Sequence, residues 1–124
     1  MKSLGTHVIL EVYGADYKIL NDLKFIEQIM TEAVKLCGAT IVKPFFHQFS
    51  PHGISGIIVI AESHFSIHTW PEYGYAAMDL FTCGENIKLD DAVRYLKEKL
   101  KANHIQMMEI KRGTLDIPSD LKHK

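Results

Sequence analysis

Apolar positions alternate with polar ones near the start of this chain and recur at helical spacing soon after. From His7 to Tyr13, Val8, Leu10 and Val12 fall on one face and Ile9 and Glu11 on the other, the period of a half-buried strand, and Gly14 ends it. From Phe25 to Cys37 the apolar residues Phe25, Ile26, Ile29, Met30, Ala33, Val34 and Cys37 form one helical stripe, with Gly38 as the stop. Thr40 to Phe49 is rich in β-branched and aromatic residues, and Ser50, Pro51, His52 and Gly53 form a turn into a strand over Ile54 to Ala61. Ser66 to Trp70 and Tyr75 to Phe81 predict two more strands, separated by Pro71 and the loop Glu72 to Gly74. Leu89, Ala92, Val93, Leu96 and Leu100 mark a second amphipathic helix, acidic at its start and lysine-rich at its end, and Ile105 to Ile110 predicts a last strand. From Arg112 onward the composition predicts a tail that wraps the surface or frays.

The order is therefore β-α-β-β-β-β-α-β. Two helices cannot cover both faces of a sheet this wide, so the fold class is α+β: a two-layer α/β sandwich with a mostly antiparallel sheet and both helices on one face. Aromatic residues on the open face favour a homodimer.

Composition narrows the function more than the fold. With 124 residues the chain fits a single domain, 1–124, and 47% hydrophobic against 23% charged residues argues against disorder. Lys and Arg number 14 and Asp and Glu 15, so a net charge of -1 gives no electrostatic reason to expect nucleic acid or an anionic membrane as partner. No apolar run approaches the roughly 20 residues needed to span a bilayer, and the chain turns polar at Glu11 before a signal-peptide core is complete, which predicts a cytoplasmic protein. Cys37 and Cys83 are too few for a disulfide scaffold and lack C-x-x-C spacing. Cys37 reads as a buried residue of its helix.

The candidate chemistry is concentrated in AESHFSIHTWPEYGYAAMDLFTCG, residues 61–84. Taken singly, Ser63 reads as a turn serine, His64 and His68 as surface or strand histidines, Trp70 as core and Cys83 as a buried thiol. No nucleophile elbow, phosphate loop or dinucleotide fingerprint is present. His47, His64 and His68 match no metal-ligand spacing, so no metal is expected.

Together, ISGIIVIAESHFSIHTWPEYGYAAMDLFTCG at residues 54–84, LGTHVILEVYG at 4–14, CGATIV at 37–42 and FHQFSPHG at 46–53 resemble the small bacterial and archaeal S-adenosylmethionine decarboxylases, which are made as proenzymes. The resemblance implies self-cleavage between Glu62 and Ser63, giving fragments 1–62 and 63–124 and a pyruvoyl group generated from Ser63 as the cofactor. It assigns His68 and Ser55 to processing and Cys83 to proton donation during decarboxylation. A sulfonium bearing adenosine calls for aromatic faces, for which Phe49 and Trp70 are the candidates, and Glu72 is placed to accept from the ribose hydroxyls. The family's site lies at a dimer interface, so part of it is expected from a second subunit. The implied product is the aminopropyl donor for spermidine synthesis. Two alternatives stand beside this reading: an arginine decarboxylase of the same fold, and a non-catalytic dimer that binds a small molecule.

Overall fold

A computed structural model of the protein describes residues 2–83 and 87–118; Gly84, at the end of the reactive stretch, and residues 119–124 of the expected tail lie outside the described residues. The described residues form an antiparallel sheet of order β2-β3-β4-β5-β1-β6. Its strands are β1 (Lys2–Tyr13), β2 (Ile41–Gln48), β3 (Ile54–Ile60), β4 (Ser63–Trp70), β5 (Tyr75–Thr82) and β6 (His104–Leu115). The helices are α1 (Tyr17–Leu20), α2 (Leu23–Cys37) and α3 (Leu89–Lys99).

Local chemistry sets the ends of α2. The Asp22 side chain accepts from the Phe25 amide at 3.1 Å at the N-terminus, and Gly38 takes the left-handed conformation at φ 80 to close the C-terminus. Between these caps Ile26, Ile29, Met30, Ala33, Val34 and Cys37 are buried, and Ala92, Leu96 and Leu100 from α3 and its end join them. They pack on one sheet face, against Val8, Leu10 and Val12 of β1, Ile58 of β3, Phe65 and Ile67 of β4 and Met78 and Leu80 of β5. The other face is open, and its exposed apolar residues include Phe45, Ile57, Met108 and Ile110.

The alternation expected for the first strand holds, but three expectations are corrected. Arg112 does not begin a loose tail: β6 continues to Leu115, pairing Arg112 with Gly5, Thr114 with Ser3 and Leu115 with Lys2, which also extends β1 to Lys2. The polar residues there suit an exposed edge strand whose backbone bonds need no apolar side chains. The strand expected from Ser66 begins at Ser63, because Ala61 and Glu62 make a two-residue hairpin turn that pairs Ile60 with Ser63. A single-turn helix, α1, lies where none was expected, capped by Asp16, which accepts from the Ile19 amide at 3.1 Å. Pro44, which lacks a ladder donor, is tolerated because β2 is an edge.

Candidate active site

The β3–β4 hairpin places the Glu62–Ser63 peptide bond at its tip. Two-residue hairpin loops favour Gly, Asn or Asp, and Ala61-Glu62 supplies none of them. The misfit appears at Ser63, whose φ of 153 is a backbone setting that costs an L-residue about 1–3 kcal/mol. Ser63 pairs laterally with Ile60 and Thr82, both buried on the helix-covered face, and its Oγ is buried without a hydrogen-bond partner among the described residues. An orphaned buried hydroxyl is itself disfavoured by about 1–3 kcal/mol.

The carbonyl on the other side of that bond is held firmly. Glu62 O accepts from the Cys83 amide at 2.9 Å and from Cys83 Sγ at 3.2 Å. The Glu62 carboxylate accepts from the Thr40 amide at 3.1 Å, while Thr40 O accepts from the Ala61 amide at 2.8 Å. The sheet thus brings Cys83, twenty-one residues away, onto the carbonyl beside Ser63. Two donors on one carbonyl oxygen polarise its carbon and would hold negative charge developing there.

His68 and Ser55 do not belong to that cluster within one chain. Ser55 Oγ and His68 Nδ1 lie 2.8 Å apart as a cross-strand pair of β3 and β4. His68 is five residues beyond Ser63 on β4, about 16 Å along a strand, and alternation puts it on the open face instead of the helix-covered one. There a groove of about 610 Å³ is lined by Phe45, His47, Phe49, Ser55, Ile57 and His68, among others. Phe49 is half exposed, with its ring held edge-on by His47 at 4.6 Å between centroids. Trp70, also exposed, leans on Tyr75 at 5.5 Å. Glu72, in the 3₁₀ turn Pro71–Tyr73 that follows Trp70, pairs through Oε1 with His52 Nε2 at 3.3 Å. One end of the sheet carries Glu62, Ser63 and Cys83; the other carries Phe49, Trp70 and Glu72, with Ser55 and His68 on the same half.

Between the two ends the open face holds a polar network that sequence reasoning missed. Asp79 accepts from Ser66, from His64 Nε2 at 3.0 Å and from His7 Nε2 at 2.5 Å. Burial pushes the Asp79 carboxyl up, but hydrogen bonds from Ser66, His64 and His7, with the charge of His64, outweigh it and hold the group below the usual carboxylate value. His7, His64 and Asp79 are also the one group among the described residues with three metal-capable atoms, all within 4.8 Å of one another. Arg112 lies 3.4 Å from His7 Nδ1, and since arginine only donates, that nitrogen accepts and Nε2 carries the proton given to Asp79. In that tautomer His7 Nε2 has no lone pair for a metal, and the cluster is satisfied as a hydrogen-bond network. Beside it Tyr75 and Tyr13 both donate to Glu11, at 2.5 and 3.3 Å. Burial, then the Glu11 carboxylate, pushes the Tyr75 phenol up to about 12. The signal for these groups was polar residues at alternate positions of strands with one open face.

Comparison with known proteins bears on the chain as a whole. A family profile described as S-adenosylmethionine decarboxylase matches residues 6–113. The S-adenosylmethionine decarboxylase proenzyme of Moorella thermoacetica is 54% identical over 118 residues, covering 95% of this chain and 94% of that protein. The proenzyme of Thermotoga maritima is 51% identical over 100% of this chain and 98% of its own length. The crystal structure of the adenosylmethionine decarboxylase from Aquifex aeolicus superimposes with a TM-score of 0.85 at 35% identity, covering 98% of this chain and 100% of that one. Matched by its profile over most of its length, and by relatives from end to end, the chain belongs to the S-adenosylmethionine decarboxylase family.

Proposed function

We propose that this chain is a self-processing decarboxylase of S-adenosylmethionine, working in the cytoplasm as the sequence leads one to expect, whose product serves as the aminopropyl donor for spermidine synthesis. The observation that carries this reading is the buried Ser63 hydroxyl, unpartnered among the described residues, beside a carbonyl held by two donors from Cys83. In processing, Ser63 Oγ adds to the Glu62 carbonyl carbon, and the Cys83 amide and thiol hold the oxygen as charge builds. The C–N bond then breaks, leaving an ester and a free amine on residue 63. Loss of the Cα proton expels the Glu62 carboxylate from Cβ, and water replaces nitrogen on the resulting dehydroalanine, releasing ammonia. The orphaned hydroxyl and strained φ at residue 63 fit a serine that is consumed in this way.

The ketone so formed supplies the electron sink for loss of CO2. Cys83, already on this end of β5 with its thiol donating to the Glu62 carbonyl, is suited to return a proton to the substrate's α-carbon. Trp70 and Phe49 offer exposed rings to the purine and the sulfonium, worth about 0.5–2 kcal/mol each.

The reading requires a second copy. His68, about 16 Å along β4, and its cross-strand partner Ser55 lie out of reach of Ser63 of their own chain, and the open face carries the apolar residues an interface needs. A two-fold pairing of open faces would set the Ser63 end of one copy against the Ser55–His68 end of the other, twice by symmetry. Cleavage leaves the fold connected: β3 in fragment 1–62 pairs with β4 in fragment 63–124, and β1 lies between β5 and β6.

Intact-mass analysis tests the reading. Purified wild type is expected as fragments 1–62 and 63–124, the second without a free α-amine, and Ser63→Ala as an uncut chain of 14.1 kDa. Folded wild type that stays whole on long incubation would sink it. Carbon dioxide release from carboxyl-labelled S-adenosylmethionine and arginine then identifies the substrate, and turnover of arginine alone would overturn the assignment.

A further inference from the structure

Glu72 does not stand alone in its loop. His52 Nε2 lies 3.3 Å from Glu72 Oε1, and His52 Nδ1 lies 3.2 Å from the Tyr17 hydroxyl. At this ion-pair distance the Glu72 carboxylate favours the proton on His52 Nε2; in the neutral imidazole Nδ1 then accepts from the Tyr17 O–H. Tyr17 O–H donates to His52, whose other ring nitrogen stands at ion-pair distance from Glu72. The Tyr17 and His52 rings also meet edge to face at 6.0 Å, which leaves the imidazole little freedom to turn.

Three separate segments supply this row of contacts, and the corner holding them is bolted together. Tyr17 opens α1, whose C-terminal Leu20 carbonyl accepts from buried Thr69 Oγ1 at 2.9 Å; the same hydroxyl oxygen accepts from the Ile54 amide at 2.9 Å. Asn21, just past α1, accepts through Oδ1 from the Gly53 amide at 2.9 Å and through its main-chain carbonyl from Gln48 Nε2 at 2.7 Å. Tyr17 is therefore a fixed reference point, and the turn carrying His52 is tied to it on both sides.

We propose that Tyr17 and His52 are positioning residues that set the plane of the Glu72 carboxylate, so that its remaining lone pairs read the ribose hydroxyls of the adenosyl substrate. This rests on the reading of Glu72 as a ribose contact. Holding Oε1 from behind leaves Oε2, and the second lone pair of Oε1, for the two neighbouring hydroxyls. Without the imidazole, Glu72 is a loop carboxylate free to rotate and to be solvated, and the substrate would have to order it on binding.

The experiment compares S-adenosylmethionine with its 2′,3′-dideoxyribose analogue as substrates for fully processed enzyme. A site built to accept from substrate hydroxyls should prefer the natural substrate by on the order of a hundredfold in kcat/KM. Glu72→Gln should collapse that ratio to within a few-fold of one. His52→Ala should reduce it by about tenfold and Tyr17→Phe by a few-fold, through KM for the natural substrate, with kcat at saturation within about twofold of wild type. His52→Gln, which keeps a donor where Nε2 stood, should restore the ratio. An unchanged ratio in Glu72→Gln would refute the ribose contact and the proposal with it. A collapsed ratio in Glu72→Gln beside wild-type ratios in His52→Ala and Tyr17→Phe would refute the relay alone. Tyr17→Phe removes a single exposed oxygen, so it remains a test if His52→Ala fails to fold. A parallel fall in kcat for both substrates, with no rescue by His52→Gln, would mean a merely structural role and would also overturn the proposal.

Discussion

Joining a chain that carries His68→Ala to a chain that carries Ser63→Ala tests whether the site is shared between copies. Within one chain the two residues are about 16 Å apart along β4, whereas proton transfer needs a heavy-atom separation of about 3 Å. No side-chain rotation closes that gap, and moving β4 would break its pairing with both β3 and β5. Each homodimer should therefore be impaired in processing, the first for want of the histidine and the second for want of the nucleophile. Co-expression with two affinity tags isolates the mixed dimer, in which one site is intact and the other doubly defective, so about half the wild-type activity per dimer is expected. The cleaved polypeptide should be the one bearing His68→Ala, because it alone keeps Ser63 and it borrows the histidine of the other copy. Mixed dimers in which that chain stays whole would refute the reasoning and return His68 to its own subunit. Normal cleavage of the His68→Ala homodimer would remove His68 from processing altogether.

Other outcomes follow from individual contacts. Cys83→Ala keeps the main-chain donor on the Glu62 carbonyl and loses only a weak thiol donor, so self-cleavage timed on gels should slow by about tenfold, while decarboxylation by the processed enzyme should fall by about 10²–10⁴-fold. Burial pushes the Cys37 thiol up to about 11, so iodoacetamide at neutral pH should leave it unmodified until the protein unfolds, as peptide mass mapping can check. Asp79→Asn should destabilise the protein by about 1.5–3 kcal/mol in denaturant titrations near neutral pH. Because the folded Asp79 carboxyl lies below its ordinary value of 3.8, its contribution is present above that value and lost as the pH falls through the folded one; the gap between wild type and variant should narrow correspondingly. Fragments 1–62 and 63–124 should co-elute in native gel filtration and separate only in denaturant, since each supplies strands lying between those of the other.

Periodicity alone located the two long helices, the strand sequence and the one-sided core, because burial of one face writes a period of two or of three to four into any chain that folds this way. It missed α1, whose single turn is too short to show a period and is held by the Asp16 cap and by Thr69. It also missed the end of β6, which is paired through the backbone at an edge and so leaves no apolar trace. Motif resemblance named Glu62, Ser63, Ser55, His68 and Cys83, and the chemistry of the implied substrate added Phe49, Trp70 and Glu72, but neither says which of them meet. Only the tertiary structure separated them, because strand register and side-chain alternation decide the end and face on which each residue stands. That geometry puts Cys83 on the carbonyl beside Ser63, turns His68 and Ser55 toward the open face, and gathers Tyr17 and His52 behind Glu72 from segments that no local pattern connects.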